Sequence, residues 1–193
     1  MSALLGYVPM ADGEGAERIW LDAPGTHSVA TLRKNELVAA VLDLQPRSGA
    51  RLFVLRTEVG ALAEPERQAL LAKIGFVPAD GGLISSLNGW ENITLPVAYH
   101  APQRIPELFD EVQELLEDLG GVDDSVLRKL PEEMTLYEKR LVAYVRALLE
   151  KPALLLVETA AAGLGPTKRR RTARFAEAYH ARCAGGTYVQ LEE

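Results

Sequence analysis

The chain has little or none of several features that would place it in a specialised class. Its single cysteine, Cys183, excludes a disulfide framework within the chain and suits a reducing compartment. No apolar run approaches the roughly 20 residues that span a bilayer. The apolar residues at positions 3–5 are too few for a signal-peptide core, and acidic residues follow at Asp12 and Glu14. We therefore expect a cytoplasmic protein that does not insert into a membrane.

An excess of positive charge is also lacking. The net charge is −6, so nothing global favours nucleic acid or an anionic membrane surface as a partner. The local exception is the basic run at residues 168–171, which on a helix is more typical of a solvated face than of a phosphate or partner patch. A chain of 193 residues, 48% hydrophobic and 25% charged, can bury the core of one globular domain.

Short apolar runs alternate with amphipathic stretches along the chain. The pattern predicts strands at residues 18–21, 51–55, 74–77, 153–157 and 187–191. It predicts helices at residues 31–44, 64–73, 105–119, 135–150 and 167–184, with Thr135 and Glu138 forming a capping box at the start of the fourth. Strands interleaved with helices favour an α/β fold with a mainly parallel sheet.

Three segments resemble, in order and spacing, the nucleotide-binding domain of ABC transporters. Residues 74–96, which begin with IGFVP and include Glu91-Asn92, resemble the glutamine-loop segment. Residues 130–148 (LPEEMTLYEKRLVAYVRAL) resemble the signature helix, and residues 151–164 (KPALLLVETAAAGL) resemble the Walker B strand. The resemblance runs from about Glu17 to the C-terminus, and the wording of residues 82–92 is similar to ATPases of lipid-trafficking Mla or MCE-type importers.

The resemblance implies a P-loop NTPase-like α/β fold. Its mainly parallel sheet would carry helices on both faces and an inserted helical subdomain, with an N-terminal antiparallel β part and a truncated C-terminal end. Within this single domain, residues 1–81 and 150–193 would form the α/β core and residues 82–149, approximately, the helical subdomain.

The same resemblance implies that the nucleotide site is degenerate. Aligned without a gap, the phosphate loop G-x-x-x-x-G-K-[ST] places its lysine at Val29 and its hydroxyl residue at Ala30. The degenerate nucleotide-binding positions are then Pro24, Gly25, Thr26, His27, Ser28, Val29, Ala30 and Thr31. Val29 then replaces the phosphate-binding lysine and Ala30 the hydroxyl that ligates Mg²⁺. Lys34 and Arg33 would lie about a turn into the next helix and could not substitute. The preferred interpretation is a plain strand-to-helix connection capped by Thr31 or Ser28.

The other positions of the site are also changed. Ala79 replaces the sensor glutamine, and Glu158 replaces the metal-directed aspartate. Thr159 replaces the general-base glutamate, and a threonine hydroxyl cannot accept a proton near neutral pH. The signature becomes Met134, Thr135, Leu136, Tyr137 and Glu138, and the family's switch histidine would lie about where the chain stops. We therefore expect no catalytic residue, no metal site, and weak or no Mg-ATP binding.

What the resemblance preserves is the region that receives a permease. The expected docking residues are Leu83, Ile84, Leu87, Trp90, Glu91 and Tyr99, although Trp90 can equally be core of the helical subdomain. The leading hypothesis is a non-hydrolysing subunit that a permease, an intact ABC ATPase, or both hold at the inner face of the membrane. Dimerisation of the chain is compatible with this role. The alternatives are a nucleotide-binding half of an asymmetric heterodimer and an unrelated α/β binding domain.

Overall fold

The computed structural model describes residues 3–9, 18–31, 34–46, 49–119, 124–158 and 162–192. The strands in these ranges are β1 (Leu5–Val8), β2 (Ile19–Leu21), β3 (Gly25–Ala30), β4 (Arg51–Val54), β5 (Thr57–Glu58), β6 (Ile74–Val77), β7 (Leu154–Glu158) and β8 (Thr187–Glu192). The α-helices are α1 (Lys34–Asp43), α2 (Glu64–Leu71), α3 (Gly89–His100), α4 (Leu108–Asp118), α5 (Leu136–Leu149), α6 (Pro166–Thr172) and α7 (Arg174–Arg182).

The strands form two sheets. The N-terminal sheet is antiparallel, with the order β2-β1-β4-β5. The second sheet is parallel, with the order β3-β8-β7-β6, and its neighbouring strands are joined through helices rather than hairpins. The predicted parallel sheet and N-terminal antiparallel part are therefore confirmed.

Strand β7 shows how the parallel sheet is buried on both faces. Alternate side chains of a strand point to opposite faces. Leu154 and Leu156 pack into one hydrophobic core with α1 and the antiparallel sheet, whereas Leu155 and Val157 pack into the other core with α5 and α7. The run of four buried residues is typical of a central parallel strand, and the predicted helices on both faces are present.

All regular elements described between residues 82 and 149 are helical. Helix α3 is capped at its N-terminus by Asn88, whose side chain accepts a hydrogen bond from the Glu91 N–H, and α5 is capped by the predicted capping box of Thr135 and Glu138. The boundaries proposed for the helical subdomain remain a prediction. None of the helices in the described ranges has the length and apolarity needed to cross a bilayer.

Two predicted helices differ from the structure. The helix predicted at residues 105–119 begins later, at Leu108, because Pro102–Glu107, which contains Pro102 and Pro106, forms a 3₁₀ segment. The single helix predicted at residues 167–184 is wrong and is divided into α6 and α7 around Ala173. Thr172 Oγ1 donates to the Arg169 carbonyl, a contact that commonly bends helices. The Phe175 ring stacks on the Tyr144 ring of α5, with 4.2 Å between the ring centroids. Gly120 and Gly121, which the sequence predicts as the C-cap of α4 because glycine readily adopts a left-handed backbone, lie outside the described residues.

Candidate nucleotide-binding site and docking surface

The segment aligned with the phosphate loop is a β-strand. Residues Gly25 to Ala30 form β3, paired in parallel with β8 from Gly25 opposite Thr187 to Ala30 opposite Glu192. The prediction of a strand-to-helix connection in this segment is therefore wrong for residues 25–30, and so is a capping role for Ser28. Alternating half-buried and exposed side chains, with branched Thr26 and Val29, suit a sheet edge better than a turn.

Strand β3 ends at Ala30 and the described part of α1 begins at Lys34, while Leu32 and Arg33 lie outside the described residues. The phosphate loop of P-loop proteins lies between a strand and a helix in the same way, but its motif is eight residues long and needs glycines to bring backbone N–H groups around the phosphate. Residues 25–30 instead pair along β8 as a strand, and none of Thr31, Leu32 and Arg33 is glycine. The segment aligned with the motif therefore does not form that cradle.

Lys34 occupies a position that the ungapped alignment missed. It is the first residue of α1 and not a turn inside it, and its N–H donates to the Thr31 carbonyl at 3.3 Å. The motif G-x-x-x-x-G-K-[ST] also places its lysine where the helix begins. Lys34 and the following Asn35 are thus the residues at the described start of α1. The apolar helical pattern begins at Leu37 in the sequence, so a helix start within the preceding turn, near Lys34, could have been inferred from it.

Glu158 and Ala79 are brought together. Glu158 ends β7 and Ala79 follows β6, the neighbouring strand, and the Ala79 N–H donates to Glu158 Oε2 at 3.1 Å. The half-buried carboxylate that aligns with the metal-directed acid is thus engaged by the backbone at the sensor position. Thr159 lies outside the described residues. Within the ranges described, no group of three or more His, Cys, Asp or Glu side chains is arranged to hold a metal ion.

A buried arginine beside these residues was not predicted. Arg140 of α5 is 4% exposed and donates from Nε to the Ala79 carbonyl and from Nη1 to the Ala162 carbonyl, both at 2.6 Å. Burial lowers the pKa of its guanidinium, and nearby Asp80 acts in the opposite direction. Its position within an amphipathic helix gave no signal that its side chain would turn inward.

The signature positions form a capped helix start covered by side chains. Thr135 and Glu138 complete the capping box, and Glu138 also forms an ion pair with Lys129 at 2.5 Å. Tyr137 is 2% exposed and donates its hydroxyl to the Leu119 carbonyl at 3.1 Å, while Met134 is buried. Leu136 is left at the surface, 36% exposed, where the family has a glycine. A phosphate group therefore meets a leucine side chain rather than open backbone.

The predicted docking residues divide into buried and exposed ones. Leu83 and Trp90 are partly buried against the core that includes α5, and Leu87 is half-buried. The Trp90 and Phe109 rings have their centroids 5.8 Å apart. Trp90 also lines a pocket of about 470 Å³ together with Leu127 and Arg128. Trp90 thus serves the core and a surface groove together.

Ile84 and Tyr99 are the most exposed of the predicted docking residues, at 44% and 83%. Ile84 is held at the start of α3, because its N–H and carbonyl both bond to the buried Asn92 side chain. Tyr99 lies in the last turn of the same helix. Glu91 accepts a hydrogen bond from the Asn88 N–H, so its carboxylate is engaged in the cap.

Known proteins of related sequence and fold are ABC ATPases. No protein-family model matches the chain. Methionine import ATP-binding protein MetN of Mesorhizobium japonicum is 29% identical over 137 residues, which are 71% of this chain and 37% of that protein. MetN of Rhodopseudomonas palustris is 30% identical over 133 residues, 69% of this chain and 35% of that protein. The match thus spans little more than a third of the length of these relatives.

Two solved structures have the same fold. One is cbiO1 from Clostridium perfringens, part of the ABC transporter complex cbiONQ, with a TM-score of 0.74, 13% identity and coverage of 100% of this chain and 79% of that chain. The other is the ATP-binding cassette MJ0796 in a dimeric post-hydrolysis state bound to ADP and Pi, with a TM-score of 0.73, 17% identity and coverage of 98% and 88%. The alternative of an unrelated α/β domain is therefore wrong. The chain is related to the ATP-binding subunits of ABC transporters and has the fold of their nucleotide-binding domain.

Proposed function

We propose that this chain is a non-hydrolysing ABC ATPase-like subunit that acts as a structural or regulatory partner in a transporter. The observation that carries the proposal is that residues 25–30, which align with the phosphate loop, form strand β3 paired along β8. A phosphate loop contributes most of the backbone N–H groups that hold the β- and γ-phosphates. Without it, the polyphosphate of ATP loses its principal binding element, whichever side chains stand nearby.

Two further contacts support the loss of hydrolysis. The Glu158 carboxylate accepts the Ala79 N–H, so binding a metal ion there would require this bond to break or to share the carboxylate. Leu136 covers the start of α5, where the family presents backbone N–H groups to the nucleotide of the partner subunit. Losses of this kind act on one transition state, and each such contact contributes a factor of about a hundred or more to catalysis.

The second candidate is the nucleotide-binding half of an asymmetric heterodimer. Lys34 at the first residue of α1 favours it, because a lysine there can contact an anion at the N-terminus of the helix. Titration of the chain with Mg-ATP, alongside the variant Lys34→Ala, separates the two functions. Binding that is lost in Lys34→Ala would support the heterodimer, whereas no binding by either protein supports the structural role.

The proposed partners are an ABC permease and an intact ABC ATPase, which would hold the chain at the inner face of the membrane. The proposed docking surface comprises Leu83, Ile84, Leu87, Trp90, Glu91 and Tyr99. Exposed Ile84 and Tyr99, together with the groove beside Trp90, provide the apolar anchors that interfaces commonly use. The dimeric state named for MJ0796 supports pairing with a second ATPase-like subunit.

The cargo of this assembly is proposed on sequence likeness alone. The wording of residues 82–92 favours lipid transport, while the relatives in sequence are named as methionine importers. We favour lipid, because residues 82–92 belong to the segment that contacts the permease. Identification of the permease that co-purifies with the chain decides between the two cargoes.

The experiment that tests docking is affinity purification of the tagged chain from membranes of its own host, with identification of any ABC permease and ATPase recovered. Ile84→Asp places a charge on the proposed surface and should abolish recovery of the permease. Leu42→Asp is the matched control, since Leu42 has similar exposure, 37%, on α1. Recovery of a permease by wild type and Leu42→Asp alone supports the proposal; equal recovery by all three, or by none, contradicts it.

A further inference from the structure

Several hydrogen bonds hold the passage from the parallel sheet to the helical segment. Strand β6 ends at Val77 and α3 begins at Gly89, so residues 78–88 form this passage. The Ala79 N–H bonds to Glu158 at the end of β7, and the Ala79 carbonyl bonds to Arg140 of α5. The backbone of one residue, Ala79, thus bonds to the sheet through its N–H and to the helical segment through its carbonyl.

The next residues of the passage lie against the same helix. The Arg146 guanidinium of α5 donates to the Gly82 carbonyl at 3.2 Å and approaches the Gly81 carbonyl at 3.5 Å. Gly81 has φ +91° and lies so close to the Lys139 backbone that a Cβ at this position would be 2.8 Å from the Lys139 oxygen. Residues 79–82 therefore follow the surface of α5 over nearly two turns without space between them.

Arg140 extends the fastening to a third segment. Its Nη1 donates to the carbonyl of Ala162, which follows β7 and lies 83 positions from Ala79 in the sequence. A guanidinium is planar and presents its donors in a fixed fork, so one side chain can hold two separate carbonyls at a fixed distance. Removing it would leave both carbonyls without this donor, and the loss should be felt more at half-buried Ala79 than at exposed Ala162, where water can replace the donor.

We propose that Arg140 is a positioning residue that locks the passage at residues 79–82 and the segment at Ala162 onto α5, and so fixes the helical segment rigidly against the parallel sheet. The docking residues Leu83 and Ile84 directly follow the locked passage. The surface they belong to would then be presented in one orientation, independent of any ligand. This conclusion does not depend on which protein docks there.

Hydrogen exchange measured by mass spectrometry on the isolated chain tests the lock. The amides of Ala79, Gly81, Gly82 and Ile84 all donate hydrogen bonds, so their exchange reports directly on opening of the passage. Arg140→Met keeps the apolar stem and removes the donors. It should accelerate exchange in residues 79–84 by about tenfold or more, while β3 and the antiparallel sheet exchange as in the wild type.

Limited trypsin digestion reports on the second segment, because the basic run at residues 168–171 follows Ala162 closely. Cleavage there should be faster by a similar factor in Arg140→Met. Arg182→Met is the matched control: Arg182 also joins two helices, through Glu111 on α4, but touches neither segment. It should leave both measurements unchanged.

A second variant covers the case in which Arg140→Met fails to fold. Arg140→Lys keeps the charge but has a single ammonium group for two separated carbonyls, so it should loosen one of the two segments and leave the other protected. Wild-type exchange and cleavage in either folded Arg140 variant, or acceleration spread evenly over all peptides, would overturn the proposal. A uniform change indicates general destabilisation rather than a lock.

Discussion

Removing the Glu158 carboxylate should destabilise the fold without affecting any metal-dependent property. The bond from the Ala79 N–H to Glu158 Oε2 is 3.1 Å long and half-buried. Hydrogen bonds to charged groups contribute about 1.5–3 kcal/mol, and partial exposure places this one near the lower limit. Glu158→Ala should therefore cost about 1–2 kcal/mol, whereas Glu158→Gln keeps an oxygen acceptor and should cost roughly half as much.

Thermal unfolding with and without millimolar Mg²⁺ is the assay. For a chain of this size, each kcal/mol shifts the Tm by about 2–4 °C, so Glu158→Ala should melt about 2–8 °C lower than the wild type. The exposed Glu177→Ala, on α7, is the control and should melt as the wild type does. If Mg²⁺ instead stabilises the wild type and this effect disappears in Glu158→Gln, Glu158 is a metal ligand and the structural role is refuted.

Three further changes test the structure around the site. Thr135→Ala removes the N-cap of α5 and should lower the free energy of unfolding by about 1 kcal/mol in urea titrations, with Thr135→Ser close to wild type. Burial raises the pKa of Glu138, but hydrogen bonds from Lys129 and Thr135 outweigh it and hold the pKa below the ordinary 4.5. This stabilisation is present above that pH and is lost as the pH falls through the folded-state pKa; Glu138→Gln should remove this part of the acid dependence, and an unchanged acid limb of unfolding free energy against pH would contradict it. Gly89→Ala should cost about 1–3 kcal/mol, because a Cβ there would lie 2.3 Å from the Val126 carbonyl oxygen. Gly60→Ala, whose Cβ would meet nothing within 4 Å, is its control; equal melting of the two variants would show that the close approach at Gly89 is absent.

The elements with strong local signals were predictable from the sequence. Four consecutive apolar residues before Glu158 indicated a buried central strand, and Thr135 with Glu138 three positions later indicated the start of α5. The division between α6 and α7 gave a weaker signal. It depends on Phe175 stacking against Tyr144, which is 31 positions away in the sequence.

The nucleotide-site region could not be placed correctly from one sequence. Strand β3 is polar on one face and lies at the edge of its sheet, so it has no apolar run to reveal it. A family motif laid on it without a gap therefore fell inside the strand. The inward turn of Arg140 was equally hidden, since both of its carbonyl partners come from distant segments.

The central claim is that the chain has lost the cradle for ATP, and a thermal melt of the pure protein with and without millimolar Mg-ATP tests it most directly. A ligand at about 100 times its Kd stabilises the folded state by about 2.7 kcal/mol, which would raise the Tm by about 5–11 °C. Because the residues aligned with the phosphate loop form strand β3, we predict no shift in Tm. A rise of several degrees that disappears in Lys34→Ala would contradict the account and show that the start of α1 still binds nucleotide.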